Sequence, residues 1–148
     1  MTATNTPLIC PGCGRRSRVT QTQYGRRDSC DFCGVHSWDS KPLVTPDVHA
    51  ARQQFHAAFD PLWQRAHEAY PISETPGTKE HAKAIKRIQK AARGRAYRWL
   101  SKFTGLPEPE CHGGEQTDLN KLARLTAVAR SCCGPQEIRQ WWKTNKAA

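Results

Sequence analysis

Apolar residues recur at helical spacing through most of this chain and at strand spacing only near its start. Val48, Ala51, Phe55, Phe59, Leu62 and Ala66 follow one another at steps of three and four, which places them on one helical face. Thr45-Pro46 is a start signal, with Thr45 as cap and Pro46 at a position where a missing N–H costs nothing. Asp60-Pro61 interrupts the run, since the proline ring meets the carbonyl four residues back; it predicts a kink or a restart capped by Asp60. Trp63 and the aromatic stripe read as core.

After a loop over 71–77, Ile85, Ile88, Ala92, Ala96, Trp99 and Phe103 repeat the pattern. They predict a helix from about Thr78 to Thr104, ended by Gly105 and Pro107 and weakened locally by Gly94. Two shorter helices follow. Thr117-Asp118 caps one with Leu119, Leu122, Thr126 and Ala129 inward; Gly134-Pro135 opens another carrying Ile138, Trp141 and Trp142. Upstream, Ser17 to Tyr24 is rich in β-formers, Gly25 supplies a turn, and Val35 to Trp38 suits a third strand. The predicted fold is mainly α with a small N-terminal β-hairpin, an α+β arrangement.

Cysteine spacing changes what that hairpin is. Cys10-Pro-Gly-Cys13-Gly and Cys30-Asp-Phe-Cys33-Gly are two Cys-x-x-Cys pairs, each followed by glycine. Two such pairs supply four thiolates, the complement of a tetrahedral zinc ion, and leave no open coordination position. Gly14 and Gly34 stand where such a turn needs positive φ or a close backbone approach. The spacing therefore predicts a structural Zn2+ site on Cys10, Cys13, Cys30 and Cys33 within a zinc ribbon over 10–40, after a disordered tail over 1–9 and before a helical domain over 45–148. Two disulfides in a secreted domain, or a redox pair, are the alternatives. Cys111, His112, Cys132 and Cys133 remain outside this set, because adjacent ligands seldom reach one ion.

Charge sharpens the picture. The 148 residues carry a net charge of +10, and mean hydropathy is −0.76. Residues 79–102 hold nine basic residues and one acid, Glu80. Lys79, Lys83, Lys86, Lys90 and Arg93, with Tyr97 next in register, form a face opposite the apolar stripe, widened by Arg87 and Arg98. A one-sign face predicts an anionic partner, nucleic acid above all. Arg15, Arg16, Arg18, Arg26 and Arg27, with Tyr24 among them, suit phosphate contact and base stacking in the ribbon. No base-reading set is visible, so neither DNA nor RNA is singled out.

Met1 to Ile9 is polar without an apolar stretch, and no run approaches the roughly 18 apolar residues that span a bilayer. A cytoplasmic location, no membrane association and reduced cysteines are expected. Acidic residues number 13 and none cluster at ligand spacing, so an enzyme such as a metal-dependent nuclease is disfavoured. A protein-interaction module docking on a host or viral complex is the alternative function, with Trp38, Trp141 and Trp142 as anchors.

Together with the cysteine pairs, Ala58-Phe59-Asp60-Pro61-Leu62-Trp63, Ala96-Tyr97-Arg98-Trp99-Leu100 and Leu106-Pro107-x-x-Glu110-Cys111-His112 form an ordered run of motifs. That run resembles the zinc-finger-containing proteins of unknown function found in bacteriophages and prophages. The resemblance covers most of residues 8–130. It implies a small phage or prophage protein with Cys10, Cys13, Cys30 and Cys33 as zinc ligands. Where similar sequences tend to read Ile-Gly after Cys-His, this chain has Gly113-Gly114.

Overall fold

The computed structural model describes residues 6–145 and divides the chain into two compact units, Met1–Ala51 and Arg52–Ala148. The division falls inside the first helix.

The first unit is a three-stranded antiparallel meander, β1 (Arg18–Thr22), β2 (Gly25–Cys30) and β3 (Val35–Trp38). Gln23-Tyr24 connects β1 to β2, with Thr22 opposite Gly25. The Thr22 hydroxyl steadies this turn, accepting from the Tyr24 N–H at 3.1 Å and donating to the Gly25 carbonyl at 3.0 Å. The Cys30-to-Val35 connection is the second cysteine turn itself, and those two residues pair across β2 and β3. The core of this unit is very small: Cys10, Cys30, Val35 and Leu43, with Leu8, Cys13 and Cys33 packed against them. Too little apolar surface is buried to hold such a unit without a cross-link or metal.

Of the tail expected over 1–9, residues 1–5 lie outside the described residues, whereas Thr6 to Ile9 are tied to the sheet. Leu8 and Ser17 exchange backbone and hydroxyl hydrogen bonds at 2.7 and 2.9 Å, and Ile9 bridges Arg16.

Helix α1 runs Pro46–Gln64 without the expected restart. Pro61 stands in its last turn, where it forfeits only its own bond to the Ala57 carbonyl, and the Arg65 N–H still reaches the Pro61 carbonyl at 3.1 Å. Asp60 caps nothing; it accepts from the Trp63 indole at 3.3 Å and meets His56 at 3.5 Å. At the other end the Thr45 carbonyl accepts from the His49 N–H at 3.0 Å, while its hydroxyl turns to Asp47.

Helix α2 (Lys79–Thr104) matches its expected span. The Thr78 hydroxyl accepts from the His81 N–H at 3.2 Å, and Gly105 closes the helix at φ +75°. Helices α3 (Leu119–Ser131) and α4 (Pro135–Asn145) complete the unit, with 3-10 turns over Ala66–Ala69 and Glu108–Cys111. Phe55, Phe59, Leu100, Leu122 and Leu125 are its largest fully buried side chains. Two expected inward positions face out, Phe103 at 54% exposed and Leu119 at 43%, whereas Leu100 and Leu125 are fully buried. Tyr97, expected on the basic face, is buried between Phe59 and His112, with ring centres at 4.7 and 4.2 Å. No helix among the described residues is long and apolar enough to cross a membrane.

Candidate functional site

Two cysteine turns built alike converge in the first unit. In each, the N–H of the glycine after the second cysteine reaches the carbonyl of the first: Gly14 to Cys10 at 2.7 Å, Gly34 to Cys30 at 2.8 Å. Both glycines are left-handed, at φ +74° and +72°, as their position predicts. A Cβ at either meets nothing within 4 Å, so backbone conformation alone demands glycine there. Gly12 answers a different need. A Cβ on it would stand 3.2 Å from Cys33 Sγ and 3.1 Å from Pro46 Cδ, because the turn lies flat against the sulfurs.

The ligand atoms of Cys10, Cys13, Cys30 and Cys33 all lie within 4.8 Å of one another. Sulfurs about 2.3 Å from a common tetrahedral ion are about 3.8 Å apart, so the four sit at near-coordinating separations. Cys13 and Cys30 are already 3.5 Å apart. All seven cysteines are free thiols, and the four form the one group of three or more potential metal ligands among the described residues. They are positioned to bind a metal ion.

Their ionisation is spread by crowding. Backbone hydrogen bonding at Arg15, helped by the neighbouring thiols, lowers the Cys13 thiol to about 6. Burial, reinforced by the other thiols, pushes Cys33 up to about 12. Cys30 accepts from the Cys33 N–H, which favours its thiolate, yet burial and the Cys13 and Cys10 thiols raise it overall. Four thiolates cannot share so small a space uncompensated; a bound metal cation would supply the missing charge.

A buried ion pair braces β2. Arg26, 9% exposed, donates from Nε to Asp28 at 2.7 Å and from a terminal nitrogen to Asp28 at 3.0 Å. Asp28 also accepts from the Ser17 hydroxyl at 2.6 Å, and these donors hold its carboxyl below the usual range, with Arg26 the larger influence. Arg26, a nucleic-acid candidate by sequence, is thus buried with its guanidinium committed to Asp28. Its partner Asp28 lies two residues along β2, a spacing that puts both side chains on one face of the strand.

The other ribbon arginines differ among themselves. Arg15 and Arg16 are exposed, and the Arg15 guanidinium lies 3.7 Å from the Phe32 ring centre. Arg18 is exposed but paired to Asp31 through two hydrogen bonds at 3.0 and 3.2 Å; Arg27 is half-buried.

In the second unit, Lys79, Lys83, Lys86, Arg87, Lys90, Arg93 and Arg98 are all exposed along α2. Arg87 meets the Glu74 carboxylate at 3.8 Å. Arg93 lies 5.6 and 5.5 Å from the Trp63 and Tyr97 rings. Arg95 donates to the Tyr70 hydroxyl at 2.8 Å, and Arg95 and Arg98 each lie 5.3 Å from the Trp142 ring centre. Basic and aromatic side chains are interleaved here, now by packing as well as by order in the chain.

Cys111 and His112 belong to the helical core. Cys111 is fully buried, its thiol reaching the Pro107 carbonyl at 3.5 Å, and burial raises its pKa. Gly113 beside them has no room for a side chain, since a Cβ would meet the Phe55 ring at 2.1 Å.

Comparison of the chain with protein-family models, with curated proteins and with solved structures finds no match.

Proposed function

We propose that this is a zinc-binding protein that binds nucleic acid chiefly by electrostatic attraction, and that it is not an enzyme. The observation that carries this reading is the exposed face of α2, where Lys79, Lys83, Lys86, Arg87, Lys90, Arg93 and Arg98 all stand in solvent and Glu80 is the one acid in the helix. Zinc is the natural ion for four cysteine thiolates in a closed tetrahedral set; bound there, it would cross-link the two turns and hold the ribbon folded. The resemblance of the ordered motifs to phage and prophage proteins supports a phage or prophage setting for this role, in the host cytoplasm.

Fluorescence anisotropy with labelled oligonucleotides across a salt series tests the binding. Each phosphate contacted on a single strand should contribute about −0.7 to the slope of log affinity against log salt, and about −0.9 on duplex DNA. Reversing Lys83, Lys86, Lys90 and Arg93 to glutamate should abolish binding with circular dichroism unchanged. Salt-insensitive binding, or full affinity in that variant, would sink the electrostatic reading.

A docking role on a host or viral protein complex is the second reading, favoured by the aromatic exposure of the ribbon: Tyr24 is 77% exposed, Phe32 71% and Trp38 36%. A partner from host lysate that survives nuclease treatment, and is lost in Phe32→Ser, would support it.

A further inference from the structure

A cleft of about 500 Å³ opens in the helical unit, lined by Arg87, Lys90, Gly94, Arg95, Arg98 and Trp142. Its size suits a small ligand or one unit of a polymer, for which sites of about 300–1,000 Å³ are usual. Four cations line it against one carboxylate, Glu108. Arg87 also meets Glu74, at 3.8 Å on an exposed surface where such a pair is weak.

The aromatic wall is fixed in place. Trp142 is half-buried on α4, and both Arg95 and Arg98 stand at cation–π distance from it, 5.3 Å from the ring centre. Arg95 is itself held by the Tyr70 hydroxyl at 2.8 Å. Gly94 forms part of the lining from the middle of α2, where glycine weakens a helix relative to alanine. Packing does not require it, since a Cβ there would meet nothing within 4 Å. What the glycine does leave is open space beside the cations.

We propose that this cleft receives one nucleotide of a single strand, its phosphate among Arg87, Lys90 and Arg98 and its unpaired base against Trp142. The inference rests on the nucleic-acid reading above and narrows it from any phosphate backbone to an unstacked strand. A duplex keeps its bases stacked on one another and presents only phosphates to α2, so Trp142 adds nothing to its binding.

The test uses two labelled probes of equal charge and about ten units, an oligothymidylate and the same sugar-phosphate chain without bases. Zinc-loaded wild-type protein should bind the thymidylate roughly 5- to 100-fold more tightly, the range that stacking of one base provides. Trp142→Leu should lose that preference while keeping its affinity for the baseless chain, and Trp142→Phe should keep most of it. Gly94→Glu, whose side chain enters the open space, should weaken both probes at least tenfold without loss of helix. Equal binding of the two probes by wild type, or a preference that survives in Trp142→Leu, overturns the cleft proposal; salt-sensitive binding of the baseless chain would still uphold the electrostatic reading. No binding of either probe at low salt removes both. If Trp142→Leu does not fold, full thymidylate affinity in Gly94→Glu overturns the cleft proposal by itself.

Discussion

At Gly12 and Gly113 a single methyl group is the most informative perturbation. Gly12→Ala pushes on Cys33 Sγ at 3.2 Å and on Pro46 at 3.1 Å, so one of them must shift. Displacement of a ligand by a few tenths of an ångström should weaken metal binding on the order of tenfold, measured by competition with a chromophoric chelator. Gly113→Ala drives a carbon to within 2.1 Å of the Phe55 ring, and overpacking of that kind should cost about 1–3 kcal/mol in denaturant unfolding. Asp28 tests the buried pair. Asp28→Asn leaves the Arg26 charge without its counterion and should cost about 3–5 kcal/mol. Because the folded carboxyl is shifted down, Asp28 contributes fully above its unfolded value of about 3.9, and the contribution is lost as pH falls through the lower folded value. The stability gap between wild type and Asp28→Asn should be flat above about pH 5 and shrink below about pH 4. Neither Arg26 nor Gly113 could have been assigned from composition: one charge vanishes into a pair set by strand alternation, and one glycine is demanded by a ring 58 positions away in the chain.

Elements were readable where the forces that make them are local. The span of α2 follows from its apolar repeat, its Thr78 cap and its Gly105 terminator, all within the segment itself. Thr78→Ala should lower stability by about 1 kcal/mol, and Gly94→Ala should raise it by about 0.5–1 kcal/mol, both measured by thermal unfolding. Opposite signs at two exposed positions of one helix separate capping from propensity. Where an element depends on what it packs against, periodicity misled. Tyr97 follows the lysine register but turns inward to stack on Phe59 and His112, and Phe103 follows the apolar register but faces out. Pro61 carries the signal of a break, but so little of α1 follows it that the helix runs through at small cost.

For the molecule as a whole, the two units differ in what sustains them. The ribbon's apolar core includes Cys10 and Cys30 of the four-cysteine cluster, whereas the helical unit buries Phe55, Phe59, Leu100, Leu122 and Leu125. Removal of the metal by a strong chelator at neutral pH should therefore unfold the first unit and leave the helical circular dichroism largely intact. Proteolysis should then cut within residues 10–40 before α2 is touched, and Cys30→Ser should reproduce the pattern without chelator. Simultaneous loss of the helical signal would mean the second unit does not stand alone. The four cysteines were the most readable part of the molecule, because a turn of two residues between ligands is a local constraint.

The uneven ionisation of those thiols also carries a thermal signature. With Cys13 lowered to about 6 and Cys33 raised to about 12, the cluster reaches neutral pH already holding a negative charge, yet still holding protons that a divalent ion must expel. Metal uptake therefore delivers acid to the surroundings, from Cys33 and from the raised Cys30. The heat recorded on titrating the ion should change with the buffer that absorbs those protons, growing more exothermic in buffers with larger protonation heats. The slope of that dependence counts the protons, and Cys33→Ser should make it shallower.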